Sequence, residues 1–270
     1  MEGHGSKISI IGAGSVGATL AFALALKGSV TEIALIDSNR EKAEAEVLDI
    51  KQGASMGRPV NIEATEYEAC NDSDIVIIAA GARQHPGETR MDLLNHNVST
   101  MKSITGSVMK TGFPGIFLII TNPVDVLTWV VFAESGLPSS RVIGSGTTLD
   151  STLLREYVGR HCRVNPQNIH GYILGEHGDT SFPAWSMLTI GGVHLEEFCP
   201  ICGRCENLED FKKNALVDFH DLAHTAFSFP MIIDIEGAPQ VFDVKLSPKE
   251  EKSLLASASF IAENIASSGY

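Results

Sequence analysis

No apolar run in the 270-residue chain approaches the roughly 18 to 20 residues that cross a bilayer, so a helical membrane span is not expected. Positive charge is scarce too. Twenty basic residues stand against 33 acidic ones, a net charge of −13. That argues against nucleic acid or an anionic membrane as a partner, while leaving room for a local basic pocket that holds an anion. Cysteine is sparse and odd in number, five in all, which suits a reducing compartment better than a disulfide framework. The opening MEGHGSKISII lacks the layout of a secretory leader, because its apolar stretch runs straight into glycines. Cytoplasmic residence is the expectation. There is no internal repeat and no low-complexity linker. What the chain does have is 44% hydrophobic residues, enough to pack one large domain or two smaller ones.

The first half alternates short apolar runs with helical patterns. KISII (7–11), EIALID (32–37), DIVIIAAG (74–81) and GIFLII (115–120) read as buried strands. SVGATLAFALALKG (15–28), NREKAEAEVLDIKQGA (39–54) and MDLLNHNVSTMKSITGSVMK (91–110) read as helices. This alternation argues for an α/β fold with a parallel sheet covered on both faces. The second half is mixed: a helix at 150–162, strand-like YILG (172–175), an apolar stretch at 184–190 and a final helix from Pro248 to Ala266. The cysteine-rich stretch 196–210 reads as irregular.

IIGAGSVGA places Gly12, Gly14 and Gly17 in G-x-G-x-x-G spacing after a strand and at the opening of a helix. The first glycine permits a tight turn, the second lets a pyrophosphate approach the backbone, and the third lets helix and strand pack closely. The helix N-terminus then offers free N–H groups to phosphate. Asp37 follows 20 residues past Gly17 at the end of the second strand. An acid there can accept from both ribose hydroxyls and favours NAD over NADP, although a turn aspartate is the plainer reading.

GEHGDT (175–180) sets His177 in a glycine-rich loop. Hydride transfer at a carbinol carbon needs a proton partner, and histidine titrates near the working pH. Asp150 in LDSTLLRE could simply cap a helix, or it could fix the tautomer of that histidine. Residues 82–94, with Arg83 and Arg90, form a polar loop leading into a helix and suit a mobile lid. Asn122 in TNPVD could reach a substrate oxygen or the cofactor, or be ordinary Asn-Pro turn chemistry.

IGAGSVGA, LIDSN, GARQHPGETRMDLL, TNPVDV, GSGTTLDS and GEHGDTSFPAWS, in that order, resemble the L-lactate dehydrogenase branch of the lactate/malate dehydrogenase family. The resemblance covers residues 7–198 and resumes near 229–265. It implies a Rossmann-type doubly wound parallel sheet, residues 1–145, followed by a smaller α+β substrate domain, residues 146–270, shortened in this chain. It implies NAD as cofactor, held by Gly12, Gly14, Val16, Gly17, Asp37, Gly81 and Asn122. His177 resembles the acid/base histidine, Asp150 its carboxylate partner and Arg90 the arginine that polarises the substrate carbonyl. Gln84 and Asn122 match substrate-binding positions. Glutamine at 84 leaves room for a methyl group where an arginine would select a second carboxylate. A small 2-oxo or 2-hydroxy acid is the implied substrate. A homotetramer is implied too, with helix 39–54 and its Asp49 at the main dimer contact. Arg155 and His170 fall where bacterial relatives bind fructose 1,6-bisphosphate; the plainer reading is a surface arginine and a strand-edge histidine.

The chain departs from the family in two places. Where the family clamps the substrate carboxylate with an arginine three residues after the aspartate, this chain has Leu153. Arg155 points about 200° away from that position on a helix and is a poor substitute. After residue 210 the family continues with a long helix and two further strands, whereas here 211–234 passes almost directly to the last strand and helix. Three readings follow: an L-lactate dehydrogenase of reduced activity, an oxidoreductase for another small carbonyl substrate, and a dinucleotide-binding protein without catalysis.

Cys199, Cys202 and Cys205 stand in C-x-x-C-x-x-C spacing, with His194 or Cys162 as a conceivable fourth ligand. Free thiols are the simpler reading, as a half-exposed helix is for His220 and His224. No metal is assigned.

Overall fold

The computed structural model describes residues 6–55, 57–82, 90–204, 207–213, 231–241 and 244–269. The chain divides into two compact units. The first comprises Met1–Asn122, Leu127–Gly144 and Asp234–Ala238; the second comprises Pro123–Val126, Ser145–Ile233 and Pro239–Tyr270.

The first unit is built on a six-stranded sheet. Its strands are β1 (Lys7–Ile11), β2 (Glu32–Ile36), β3 (Asn61–Ala64), β4 (Ile75–Ile78), β5 (Ile116–Ile119) and β6 (Val142–Gly144). They lie in the order β3-β2-β1-β4-β5-β6, every pairing parallel. Ile10, Ile33, Leu35 and Ile77 are buried together with Val47 and Ile50, and each such side chain stabilises the fold by about 1.5–3 kcal/mol. Strand order reverses between β1 and β4, so a crevice opens at the carboxyl ends of those strands. Gly12, Asp37, Gly81 and Asn122 all follow strand ends there.

Helices α1 (Ser15–Lys27), α2 (Arg40–Ala54) and α3 (Arg90–Lys110) connect the strands, and α4 (Val124–Ser135) follows β5. Asn39 caps α2 by accepting from the Lys42 N–H at 3.1 Å. α3 starts at Arg90, but Arg83 and Gln84 and the Arg90 side chain lie outside what is described. Among the described residues no helix is long and apolar enough to cross a membrane.

The second unit is a mixed α/β assembly. Helix α5 (Thr148–Cys162) packs Leu154, Val158 and Cys162 against Ile169, Ile173, Leu188, Ile190, Leu195 and Phe211. Short strands follow: β7 (Ile169–His170), β8 (Ile173–Leu174), β9 (Phe182–Pro183), β10 (Thr189–Ile190) and β11 (Val193–His194). The stretch expected to be irregular is helical over α6 (Leu195–Cys202). Leu195, Phe198, Cys199 and Cys202 repeat at helical spacing and are buried or half-buried, so the cysteines act as small apolar residues there. Gly203 ends the helix in the left-handed region. A hairpin of β12 (Met231–Asp234) and β13 (Gly237–Val241), whose Asp234–Ala238 portion is counted with the first unit, precedes the last helix, α7 (Pro248–Ser267). Two strands thus stand where the sequence pattern suggested one.

A capping box starts α7: Ser247 Oγ accepts from the Glu250 N–H, and Glu250 accepts from the Ser247 N–H at 2.7 Å. The same buried carboxylate accepts from the Ser186 hydroxyl at 2.6 Å and the Ser186 N–H at 3.1 Å. Burial alone would push the Glu250 carboxyl up; the bonds from Ser186 and Ser247 outweigh it and hold its pKa below the ordinary value. A depressed folded pKa means that this stability is fully present above the unfolded value of about 4.3 and is lost as pH falls through the folded one. Glu250→Gln is expected to cost about 1–3 kcal/mol near neutral pH. The difference from the parent should shrink in acid below about pH 4, as read from urea midpoints at both pH values.

Candidate active site

Within the first unit the glycine turn is built for close approach. Gly12 sits at φ +109°, and a Cβ there would meet the Ala80 backbone N at 2.6 Å. A Cβ on Gly17 would stand 1.9 Å from the Gly12 carbonyl oxygen, so helix α1 lies directly on the turn. Above Gly14, by contrast, space is open. Gly14 is the N-cap of α1, and no side chain caps that end, so its first N–H groups are left to an incoming anion. Val16 stands out from this first turn, 62% exposed.

Asp37 follows β2 with its side chain partly buried. One carboxylate oxygen accepts from the Ala13 N–H at 2.7 Å and the other from the Asn39 N–H at 2.9 Å. It therefore holds the glycine turn, and a carboxylate has lone pairs beyond these two bonds. An open backbone cradle, an uncapped helix start and an acid at the second strand end fit a dinucleotide with free ribose hydroxyls.

Gly81 and Asn122, both exposed, are held by residues that sequence reasoning missed. Buried Asn97 of α3 accepts from the Ala82 N–H at 2.8 Å and donates to the Asn122 carbonyl at 2.9 Å. The Thr121 hydroxyl lies within hydrogen-bond range of the carbonyls of Ile78, at 3.1 Å, and Ala80, at 2.9 Å. Thr121 stands beside Asn122 in TNPVD, where the chemistry points to the asparagine. Asn97 belongs to no local motif, and an asparagine on the buried face of a helix was its one available signal.

Within the second unit, His177 and Asp150 meet. His177 Nδ1 lies 2.7 Å from Asp150 Oδ2, with the aspartate almost fully buried and the imidazole half-buried. A carboxylate only accepts, so Nδ1 carries the proton and donates, leaving Nε2 for chemistry. Asp150 is in the first turn of α5 but is not its cap; the N-cap is Thr147. Thr147 gives its hydroxyl instead to the Ile173 carbonyl, at 2.6 Å, and Ser151 Oγ accepts from the Ile173 N–H at 2.9 Å. Both backbone groups of Ile173 are thereby pinned to the helix that carries Asp150. Four residues later the chain reaches His177.

Leu153 is half-buried, one helical turn beyond Asp150. Arg155 folds back along its own helix, donating to the Ser151 carbonyl at 3.1 Å and to the Thr152 hydroxyl at 3.0 Å. His170 is exposed on β7. Cys162 and Cys199 are buried and Cys202 half-buried, all as free thiols. Burial, then the neighbouring Cys202, pushes the Cys162 thiol up to about 12. Among the described residues no three His, Cys, Asp or Glu side chains are grouped to hold a metal ion; Cys205, His220 and His224 lie outside those residues.

Comparison with known proteins agrees with this geometry. Residues 6–144 match the family model of the lactate/malate dehydrogenase NAD binding domain, and residues 147–219 match that of the lactate/malate dehydrogenase alpha/beta C-terminal domain. The L-lactate dehydrogenase of Thermoanaerobacterium saccharolyticum is 46% identical over 233 residues, 86% of this chain and 73% of that protein. That of Clostridium perfringens is 36% identical over 308 positions, 97% of each chain. Since this chain has 270 residues, at least 38 of those 308 positions (308 − 270) face no residue here. Among solved structures, a lactate dehydrogenase from a deep-sea metagenome library superposes with a TM-score of 0.90 at 32% identity, covering 98% of this chain and 99% of that one. The minor L-lactate dehydrogenase of Enterococcus mundtii in its ligand-bound form gives 0.87 at 33% identity, covering 97% and 98%. A six-stranded parallel sheet carrying the glycine turn, a smaller second unit carrying a histidine–aspartate pair, and matches of this extent make the chain a member of the lactate/malate dehydrogenase family.

Proposed function

We propose that the chain is an NAD-dependent L-lactate dehydrogenase that interconverts pyruvate and L-lactate. The observation that carries this reading is the His177–Asp150 pair in a chain whose relatives are L-lactate dehydrogenases. Bound NAD supplies or takes up the hydride. His177 Nε2 exchanges the proton with the substrate C2 oxygen, while Asp150 keeps Nδ1 protonated and the ring oriented. Arg90 polarises the carbonyl, Asn122 bonds the substrate oxygen and the cofactor, and Gln84 leaves space for the substrate methyl. Gly12, Gly14, Val16, Gly17 and Gly81 line the dinucleotide, with Asp37 on its ribose. The NAD-binding domain ends at residue 145 and the shortened substrate domain occupies 146–270.

The family's small-molecule chemistry and oligomeric habit extend to finer proposals. The chain assembles as a homotetramer through α2, where Leu48, 60% exposed, adjoins Asp49. Fructose 1,6-bisphosphate binds at Arg155 and His170. Five cysteines support residence in a reducing cytoplasm.

Leu153 favours a second reading, an oxidoreductase for a carbonyl substrate without a carboxylate. Oxidation of NADH by pyruvate and by an uncharged ketone, each with and without fructose 1,6-bisphosphate, tests both. Turnover of pyruvate, faster with the bisphosphate, is the expected result. Preference for the ketone selects the second reading, and NADH binding without turnover of either overturns both.

A further inference from the structure

His177 is flanked by a closed ring of hydrogen bonds that reaches to the last helix. The Glu176 N–H donates to Ser257 Oγ on α7. Ser257 Oγ lies 2.8 Å from Thr180 Oγ1, and Thr180 Oγ1 bonds the Glu176 carboxylate. With Glu176 ionised, one proton arrangement satisfies these bonds. Because an ionised carboxylate has no proton to give, the Thr180 hydroxyl must donate to Glu176. Its remaining capacity is to accept, so the Ser257 hydroxyl donates to Thr180. The ring then runs in one direction, from the Glu176 N–H through Ser257 and Thr180 back to the Glu176 carboxylate. The Thr180 N–H adds a further bond to that carboxylate at 3.3 Å. Ser257 is fully buried and Glu176 is 3% exposed. In such surroundings linked hydrogen bonds reinforce one another and fix geometry. The fit is tight, since a Cβ on Gly175 would lie 2.8 Å from Ser257 Oγ.

We infer that Ser257 is a positioning residue for the reaction, with Thr180 as its relay: through the ring, α7 holds the 175–180 loop so that the His177 imidazole stays on Asp150. The inference rests on the proposed acid/base role of His177. It gives α7 a task that the clamp from α5 cannot perform. Thr147 and Ser151 fix the entry to the loop at Ile173, whereas the ring closes around positions 176 and 180, on either side of the histidine. It also explains how a shortened second unit can keep an ordered histidine. The anchoring hydroxyl is 81 residues from Glu176 in sequence, on a helix that follows the stretch where the family has more chain.

The test compares Ser257→Ala with Ser186→Ala. Ser186→Ala removes a buried hydroxyl bond to the same helix, at Glu250, away from the loop. Two quantities are read: kcat for pyruvate with NADH, and the ring-nitrogen NMR signals of His177 in protein labelled at its histidines, assigned by difference from His177→Gln. Ser257→Ala should lower kcat about tenfold or more, because small misplacements of a catalytic group cost that much. Its NADH affinity should be unchanged, and the single Nδ1-protonated pattern should give way to mixed tautomers. Ser186→Ala should lose thermal stability but keep kcat and the single tautomer. If Ser257→Ala keeps both kcat and the tautomer, the inference is overturned. Should Ser257→Ala fail to fold, Thr180→Val, nearly isosteric and lacking the relay hydroxyl, carries the same expectation. If the parent does not turn over pyruvate, the proposed function fails, and the tautomer spectra still decide whether Ser257 positions His177.

Discussion

Replacing His177 with glutamine is expected to lower kcat for pyruvate reduction by about 10²–10⁴-fold, the usual worth of a positioned general acid, with NADH affinity unchanged. The reason is geometric. Nδ1 is committed to Asp150 at 2.7 Å, so Nε2 is the ring nitrogen left to give up a proton. Glutamine fills similar space and cannot deliver a proton near neutral pH. Asp150→Asn should reproduce much of the loss by another route. The amide keeps the shape but can donate as well as accept, so Nδ1 is no longer forced to carry the proton. Asp150 is almost fully buried, so the environment of the substituted amide is set by the protein. Stopped-flow measurement of NADH oxidation, with cofactor affinity read separately by fluorescence, gives the comparison. A His177→Gln enzyme within about threefold of the parent would mean that the proton comes from another group.

Much of this arrangement is legible in the sequence, for identifiable reasons. Alternating apolar runs and helical periods foretell the parallel sheet of the first unit, because burial on both faces imposes them. Gly12, Gly14 and Gly17 are readable because one tight turn dictates their spacing, and Asp37 because one helix and one strand separate it from that turn. The supports are another matter. Asn97, Thr147, Ser151 and Ser257 make their bonds to backbone or hydroxyl groups far along the chain, and such pairings leave no local period. A serine bound for a loop 81 residues away reads the same as a serine bound for water. α6 escaped notice because three cysteines and a proline read as an irregular stretch of free thiols, while the Leu195, Phe198, Cys199, Cys202 spacing fitted a helix equally well. Asp150 held two readings open. It does fall in the first turn of a helix, but its carboxylate goes to His177 and the N-cap position is Thr147's.

Leu153→Arg is expected to raise kcat/KM for pyruvate by about a hundredfold or more. Position 153 lies one turn from Asp150 on α5 and is half-buried, so a side chain there borders the face that carries the His177 partner. Pyruvate is an anion, and setting it beside a buried aspartate without a facing cation is unfavourable. A bidentate guanidinium–carboxylate pair supplies that cation in fixed geometry. Loss of one partner from a buried pair costs on the order of 3–5 kcal/mol, which corresponds to roughly 10²- to several 10³-fold in rate; restoring it should return the lower part of that range. Arg155 does not already fill the role, because its guanidinium is turned back onto Ser151 and Thr152 of its own helix. Leu153→Gln separates charge from polarity and should gain little. An uncharged ketone separates substrate recognition from the chemical step: its turnover should stay level or fall in Leu153→Arg while that of pyruvate rises. If arginine at 153 leaves pyruvate kinetics unchanged, the carboxylate is held elsewhere in this chain. If the ketone and pyruvate gain equally, the leucine was limiting the orientation of His177 rather than the binding of an acid.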